Sequence, residues 1–179
     1  MGFPPIGIMS LSAVLKRAGH ECTMFDQANP ETPNEVIIDE IRRQQPDLVG
    51  MSFLSTTSYP YAKILARQIR AADSRVRLAF GGVFATLNAE LVKLQCPEVD
   101  FVCRGDGEQL ILDLLERVDD PADVAGLTWA KDGWPVHNPN RALDRALDQW
   151  PFPDRESLPL DFVESMPLDV PAVLSMERF

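Results

Sequence analysis

The sequence predicts a doubly wound α/β fold: an open parallel sheet with helices on both faces. Three observations carry this. Strand-like runs and amphipathic stretches alternate four times between residues 21 and 118, the connections between them are short, and the run LVGMSF (48–53) is almost continuously apolar. A strand buried on both faces reads that way, and regular alternation of strand with helix implies parallel strands joined by right-handed crossovers.

Taken in order, residues 6–18 place Ile6, Met9, Leu11, Val14 and Leu15 on one helical stripe, and Gly19 stops the helix. ECTMFD (21–26) is a short strand. Asn34 is suited to cap a helix running to Gln45, with Val36, Ile37, Ile38 and Ile41 as its apolar face, and Pro46-Asp47 breaks it before the strand 48–53. Pro60 fits the first turn of a helix reaching Ala72, with Ile64, Leu65 and Ile69 inward. VRLAF (76–80) is a strand ending at Gly81-Gly82, a helix covers about 86–95, DFVCR (100–104) is a strand, and 108–118 is helical. Two strand-like runs then flank Asp132-Gly133 within 126–138, a strong hairpin signal. From Pro139 to Pro171 the chain is rich in Pro and Asp and reads as an irregular linker; AVLSM (172–176) has a strand's composition and no evident partner.

Composition narrows the function. The 179 residues suffice for one domain and a small appendage, and 17 Lys and Arg against 27 Asp and Glu leave a net charge of −10. That charge repels phosphate backbones and anionic lipids, which argues against nucleic-acid and membrane partners. No apolar run approaches the ~20 residues of a membrane span, and the N-terminus does not read as a signal peptide, so a cytoplasmic protein is expected. Cys22, Cys96 and Cys103 are odd in number and far apart, as buried free thiols would be. His20 and His137 read as surface residues, and the three tryptophans as packing for the hairpin and linker. There is no GxxxxGK[ST], no dinucleotide glycine fingerprint and no nucleophile elbow.

In an open α/β sheet, ligands bind beyond the carboxyl ends of the strands. Three successive strand ends here carry small or hydroxylic residues: Ser52 to Ser58, Gly81 to Thr86, and Gly105 to Glu108. Small residues let the backbone approach a ligand, and hydroxyls can bond a polar tail. Each signal also has a plain structural reading, in helix capping or tight turns; together they mark one edge of the sheet.

The segments PPIGIMSLSAVLKRAGHE, PDLVGMSF, RLAFGGVFAT, VDFVCRGDGE and WPFPDRESLPLD resemble, in this order, the N-terminal half of cobalamin-dependent radical S-adenosylmethionine enzymes. The resemblance implies a flavodoxin-like (Rossmann-like) domain over 1–125 holding cobalamin, a hairpin and linker over 126–171, and the start of a truncated radical S-adenosylmethionine barrel at 172–179. It implies cofactor-binding roles for Ser52, Ser55 and Thr56, for Gly81, Gly82 and Phe84, and for Gly105, Gly107 and Glu108. The complete parent would be a methyltransferase or cyclase carrying a 4Fe–4S cluster and S-adenosylmethionine. The rival reading is a degenerate or receiver-like regulatory domain that binds no cofactor.

Three departures from the family pattern set further expectations. An apolar first strand should precede PPIG, so the middle of the sheet is expected to lack a strand. Phe84 stands where a histidine often follows the double glycine. The cluster motif CxxxCxxC should come just after residue 179, so the sequence is expected to be a fragment that cannot build the cluster. No Asp-x-His-x-x-Gly loop is present, and cobalamin is expected to bind without a protein nitrogen on cobalt.

Overall fold

The computed structural model describes residues 4–158 and 172–177. The chain runs α1 (Ile6–Arg17), β1 (Glu21–Asp26), α2 (Asn34–Gln44), β2 (Leu48–Ser52), α3 (Tyr59–Ala72), β3 (Arg77–Gly81), α4 (Val83–Leu87), α5 (Ala89–Gln95), β4 (Phe101–Cys103), α6 (Glu108–Glu116), β5 (Leu127–Lys131), β6 (Trp134–His137) and β7 (Ala172–Glu177). All seven strands form one sheet in the order β1-β7-β2-β3-β4-β5-β6. β2, β3 and β4 are parallel neighbours, and β5 and β6 extend that edge as an antiparallel hairpin. Asp132 and Gly133 at the hairpin tip both have positive φ, the turn whose twist matches two right-twisted strands.

The expected gap in the middle of the sheet is filled. β7 lies between β1 and β2, antiparallel to both, with Met24 and Gly50 each opposite Leu174. AVLSM is therefore paired on both edges, contrary to its expected isolation. The reason is that β1 and β2 present open hydrogen-bonding edges one strand-width apart, and an apolar segment satisfies both.

Helices cover both faces. Ile37, Ile41, Leu65, Ile69, Ala85 and Val92 of α2 to α5 pack on Val49, Met51, Phe80 and Val102 of one face. On the other face, Ile8, Met9 and Leu15 of α1 and Leu110, Leu114 and Leu115 of α6 pack on Leu48, Ala79, Phe101 and Leu174.

Several local readings change. Ile6, Val36 and Ile64 are exposed, while Ile8 is buried; each helix docks a narrower stripe than its apolar residues span. Asn34 is the first helical residue, and its amide joins Gln27 and Gln68 instead of capping. The expected helix 86–95 is two short helices broken at Asn88, whose side chain donates to the Phe84 carbonyl (2.9 Å). Trp134 is exposed at the hairpin, whereas Trp129 donates to Asn138 (3.0 Å).

Residues 139–158 are irregular apart from one tight turn at Leu147–Gln149, and they strap α1. Asp154 accepts from Ser12, Lys16 and Ser157, each at 2.8 Å, and its own N–H donates to the Met9 carbonyl (3.0 Å). Burial raises the Asp154 carboxyl, but hydrogen bonds from Lys16, Ser12 and Ser157 outweigh it and hold the group down at about 2. Arg17 donates to the Gln149 carbonyl (2.6 Å) and lies 5.6 Å from the Trp150 ring centre. The remainder of the expected linker, 159–171, lies outside the described residues.

Candidate functional site

The parallel strands β2, β3 and β4 end at Ser52, Gly81 and Cys103 on one edge of the sheet. Side chains alternate between faces along a strand, so residues two apart share a face. On the face under α1 and α6, β2 contributes Gly50 and Ser52, and β3 contributes Ala79 and Gly81. The register sets Gly50 beside Ala79 and Ser52 beside Gly81, and a Cβ on Gly81 would stand 3.9 Å from that of Cys103. Four small residues in two adjacent rows leave a trough where the opposite face holds Met51 and Phe80.

α1 and α6 roof this trough without filling it. The result is a cleft of about 250 Å³, walled by Gly7, Ile8 and Leu11 of α1, by Glu108, Leu110 and Ile111 of α6, and by Leu174 and Met176 of β7. The helices meet closely at its mouth, because a Cβ on Gly107 would come within 2.9 Å of a Leu11 methyl. Gly105, at φ +83°, has open space around it, and its N–H donates to the Thr86 hydroxyl (3.1 Å). Asp106 and Glu108 also line the cleft. Burial pushes the Cys103 thiol on the floor up to about 12, so it stays protonated at neutral pH.

Six of the sequence-nominated residues, Ser52, Gly81, Gly82, Gly105, Gly107 and Glu108, line this cleft. Gly82 has a different reason to be glycine from the one its position suggests. At φ +89°, a Cβ there would lie 2.5 Å from the Phe53 carbonyl oxygen and 3.0 Å from both Phe53 N and Ser52 Oγ, so the close approach of two strand ends requires it. Ser55 and Thr56 lie on the loop after β2, outside the cleft lining. The Ser55 hydroxyl receives the Thr57 N–H (3.1 Å) and pairs with the Thr57 hydroxyl (2.7 Å), building its own turn. Phe84 faces the other way. It is buried on the opposite face, with its ring centre 4.9 Å from Tyr59 and 5.9 Å from Phe53. Sequence reasoning missed Gly50, Ala79, Cys103 and the α1 residues. The signal for the first three was parity: small residues at alternate positions of adjacent strands.

His20 lies at the far edge of the sheet, in a separate groove with Lys16, Glu21 and Gln44, and His137 is bonded through Nδ1 to the Thr128 hydroxyl (2.8 Å). Among the described residues no three His, Cys, Asp or Glu side chains gather as a metal-binding group, and no helix is long and apolar enough to cross a membrane.

A ligand cleft at the carboxyl ends of parallel strands, between two helices of one face, defines a small-molecule-binding α/β domain. The model of the B12 binding domain matches residues 2–115, and the chain belongs to that family. Similar proteins include an uncharacterized methyltransferase of Pyrococcus horikoshii (29% identical, 88% of this chain and 35% of the relative). Another is the anaerobic magnesium-protoporphyrin IX monomethyl ester cyclase of Synechocystis sp. (31% identical, 72% of this chain and 27% of the relative). Among solved structures, the cobalamin-dependent S-adenosylmethionine radical enzyme OxsB, with aqua-cobalamin and S-adenosylmethionine bound, superposes with a TM-score of 0.69 at 18% identity, over 84% of this chain and 21% of OxsB. The radical S-adenosylmethionine methyltransferase TsrM of Kitasatospora setae, with cobalamin and a [4Fe-4S] cluster bound, gives 0.65 at 21% identity, over 78% of this chain and 27% of TsrM. The chain thus spans about a third or less of each of these proteins.

Proposed function

We propose that this chain binds cobalamin, with the nucleotide tail in the cleft and the corrin ring outside it, over the strand ends. The observation that carries the reading is the trough of Gly50, Ala79, Ser52 and Gly81 at the carboxyl ends of parallel strands, in a chain of the B12 binding domain family. The cleft's volume of about 250 Å³ suits a slender group and excludes a macrocycle. A Cβ on Gly81 would touch the Cys103 Cβ at 3.9 Å without a clash, and its absence leaves that room to a ligand. Ser52, in the outer row of the trough, would bond the tail's polar atoms. Gly105, whose own N–H is taken by Thr86, and Gly107 would let the chain approach the tail closely. Ser55, Thr56 and Gly82 shape the rim beneath the ring, and Phe84 supports that rim from behind.

Bound cobalamin would supply a cobalt centre able to carry a methyl group or change oxidation state. The chain's own part is to hold the tail, exclude water from it and present one face of the ring. Because His20 and His137 lie away from the cleft, we assign no protein nitrogen to cobalt. In a protein of its relatives' length the domain would serve a radical S-adenosylmethionine methyltransferase or cyclase, with the 4Fe–4S cluster and S-adenosylmethionine held by a separate barrel domain. Sequences similar to this one in the methyltransferase and cyclase support that placement.

Incubating the purified chain with hydroxocobalamin and desalting tests the reading: one equivalent of retained colour is expected, and a colourless protein would overturn it. Paramagnetic resonance of the Co(II) form in nitrogen-15-labelled protein tests the coordination. Splitting that changes with the label would place a protein nitrogen on cobalt and refute that part.

A further inference from the structure

β7 gives the cleft a wall that the parallel strands alone do not make. On the cleft face its Ala172 stands opposite Ser52, its Leu174 opposite Gly50 and its Met176 opposite Leu48. Read inward from the strand ends, the first row is Ala172, Ser52 and Gly81, all small, so the sheet leaves the trough wide beneath the helices. In the second row Leu174 flanks Gly50 and Ala79, and the trough narrows to those two residues. In the third row Leu48 and Met176 close it. The Met176 methyl leans back towards the mouth, 3.4 Å from where a Cβ on Gly50 would stand. Leu174 and Met176 are both fully buried, so they are fixed parts of the wall.

We propose that Leu174 and Met176 are the specificity-determining residues of the cleft: they set how long and how wide a tail it accepts. This rests on the cobalamin reading. An inner end bounded by a thioether and an isobutyl group, with a glycine floor, suits the flat apolar base that ends the nucleotide tail. Methionine packs well on aromatic edges and adapts its rotamers to them. The discrimination therefore lies between corrinoids that carry a nucleotide base and those that lack it, and the corrin ring itself contributes equally to both.

The test compares hydroxocobalamin with diaquacobinamide, which has the same ring and no nucleotide tail, by titration of the full chain. The unaltered protein should bind cobalamin at least tenfold more tightly. Leu174→Phe, which extends into the second row, should lower cobalamin affinity at least tenfold and leave cobinamide within twofold. Equal loss for both corrinoids, or no loss for either, overturns the proposal while leaving cobalamin binding intact; failure of the unaltered protein to bind either corrinoid overturns both readings. Met176→Ala is the milder variant should Leu174→Phe not fold, and it should weaken cobalamin alone, about threefold. A separate readout needs no ligand. Met176 is paired with Cys22 across the β1–β7 ladder, on the same face, and both positions are shielded. Met176→Cys refolded from denaturant with oxidised glutathione as the oxidant should therefore lose two titratable thiols. Persistence of those thiols would show that β7 does not form this wall.

Discussion

The two faces of the sheet solve opposite problems with the same strands. On one, Phe53, Phe80, Phe84 and Tyr59 interlock, with the Phe53 and Phe80 rings edge to face at 5.0 Å. On the other, the same strands present Gly50, Ser52, Ala79 and Gly81, and the volume is withheld. Apolar area is what holds a helix to a sheet, at about 25 cal/mol per Å² buried. α1, lying over the withheld volume, therefore needs other anchors, and its Ser12, Lys16 and Arg17 reach the linker through Asp154, Gln149 and Trp150. The cleft face is less well packed than its reverse, and polar straps take over part of the restraint.

Substitutions on each face should separate stability from binding. The largest effect is expected on the packed face, where Phe80→Ala should lower unfolding free energy by about 4 kcal/mol in a denaturant titration. Gly82→Val should cost about 3 kcal/mol, from positive φ and the clash with the Phe53 backbone, and so reduce cobalamin binding only through the fold. Gly81→Val should do the reverse. Its nearest neighbour leaves room for a Cβ, so melting should change little while cobalamin affinity falls about a hundredfold, roughly 2.7 kcal/mol. A Gly81→Val protein that binds normally would move the ligand off this face.

The strap has a pH signature. The Asp154 carboxyl is held at about 2, below its value in an unfolded chain. A group depressed on folding stabilises the protein above its unfolded value, and that stability is lost as pH falls through the folded one. Between about pH 5 and 2 the native protein should therefore lose about 1–2 kcal/mol through this group. Asp154→Asn should flatten that part of the stability profile, and an unchanged profile would show that the strap does not restrain α1. The smallest effect belongs to β7. Ser175 is buried with no partner for its hydroxyl among the described residues, so Ser175→Ala should stabilise the chain by about 1 kcal/mol in thermal unfolding.

Local chemistry made much of this legible in advance. The strand 21–26 has the bounds its residues suggested, and the strand-end loops with Gly81-Gly82 and Gly105 to Glu108 come together as the α/β rule requires. Phe84, named with the cofactor-binding residues, packs on the opposite face from the cleft, because a residue just after a strand end can turn to either face. Ile6, Val36 and Ile64 were misplaced because helical periodicity gives a stripe, while the width of the docked strip depends on the neighbour it meets.

By itself, the sequence determined the alternation of strand and helix, the parallel crossovers and the edge on which a ligand would sit, because period, turn residues and strand-end glycines act over a few residues. Tertiary structure alone decided that β7 enters the middle of the sheet, that Leu174 and Met176 close the cleft, and that Gly82 serves a backbone contact. Those depend on which open edge a distant segment satisfies, and pairing Ala172 with Ser52 spans some 120 residues that no local pattern can link.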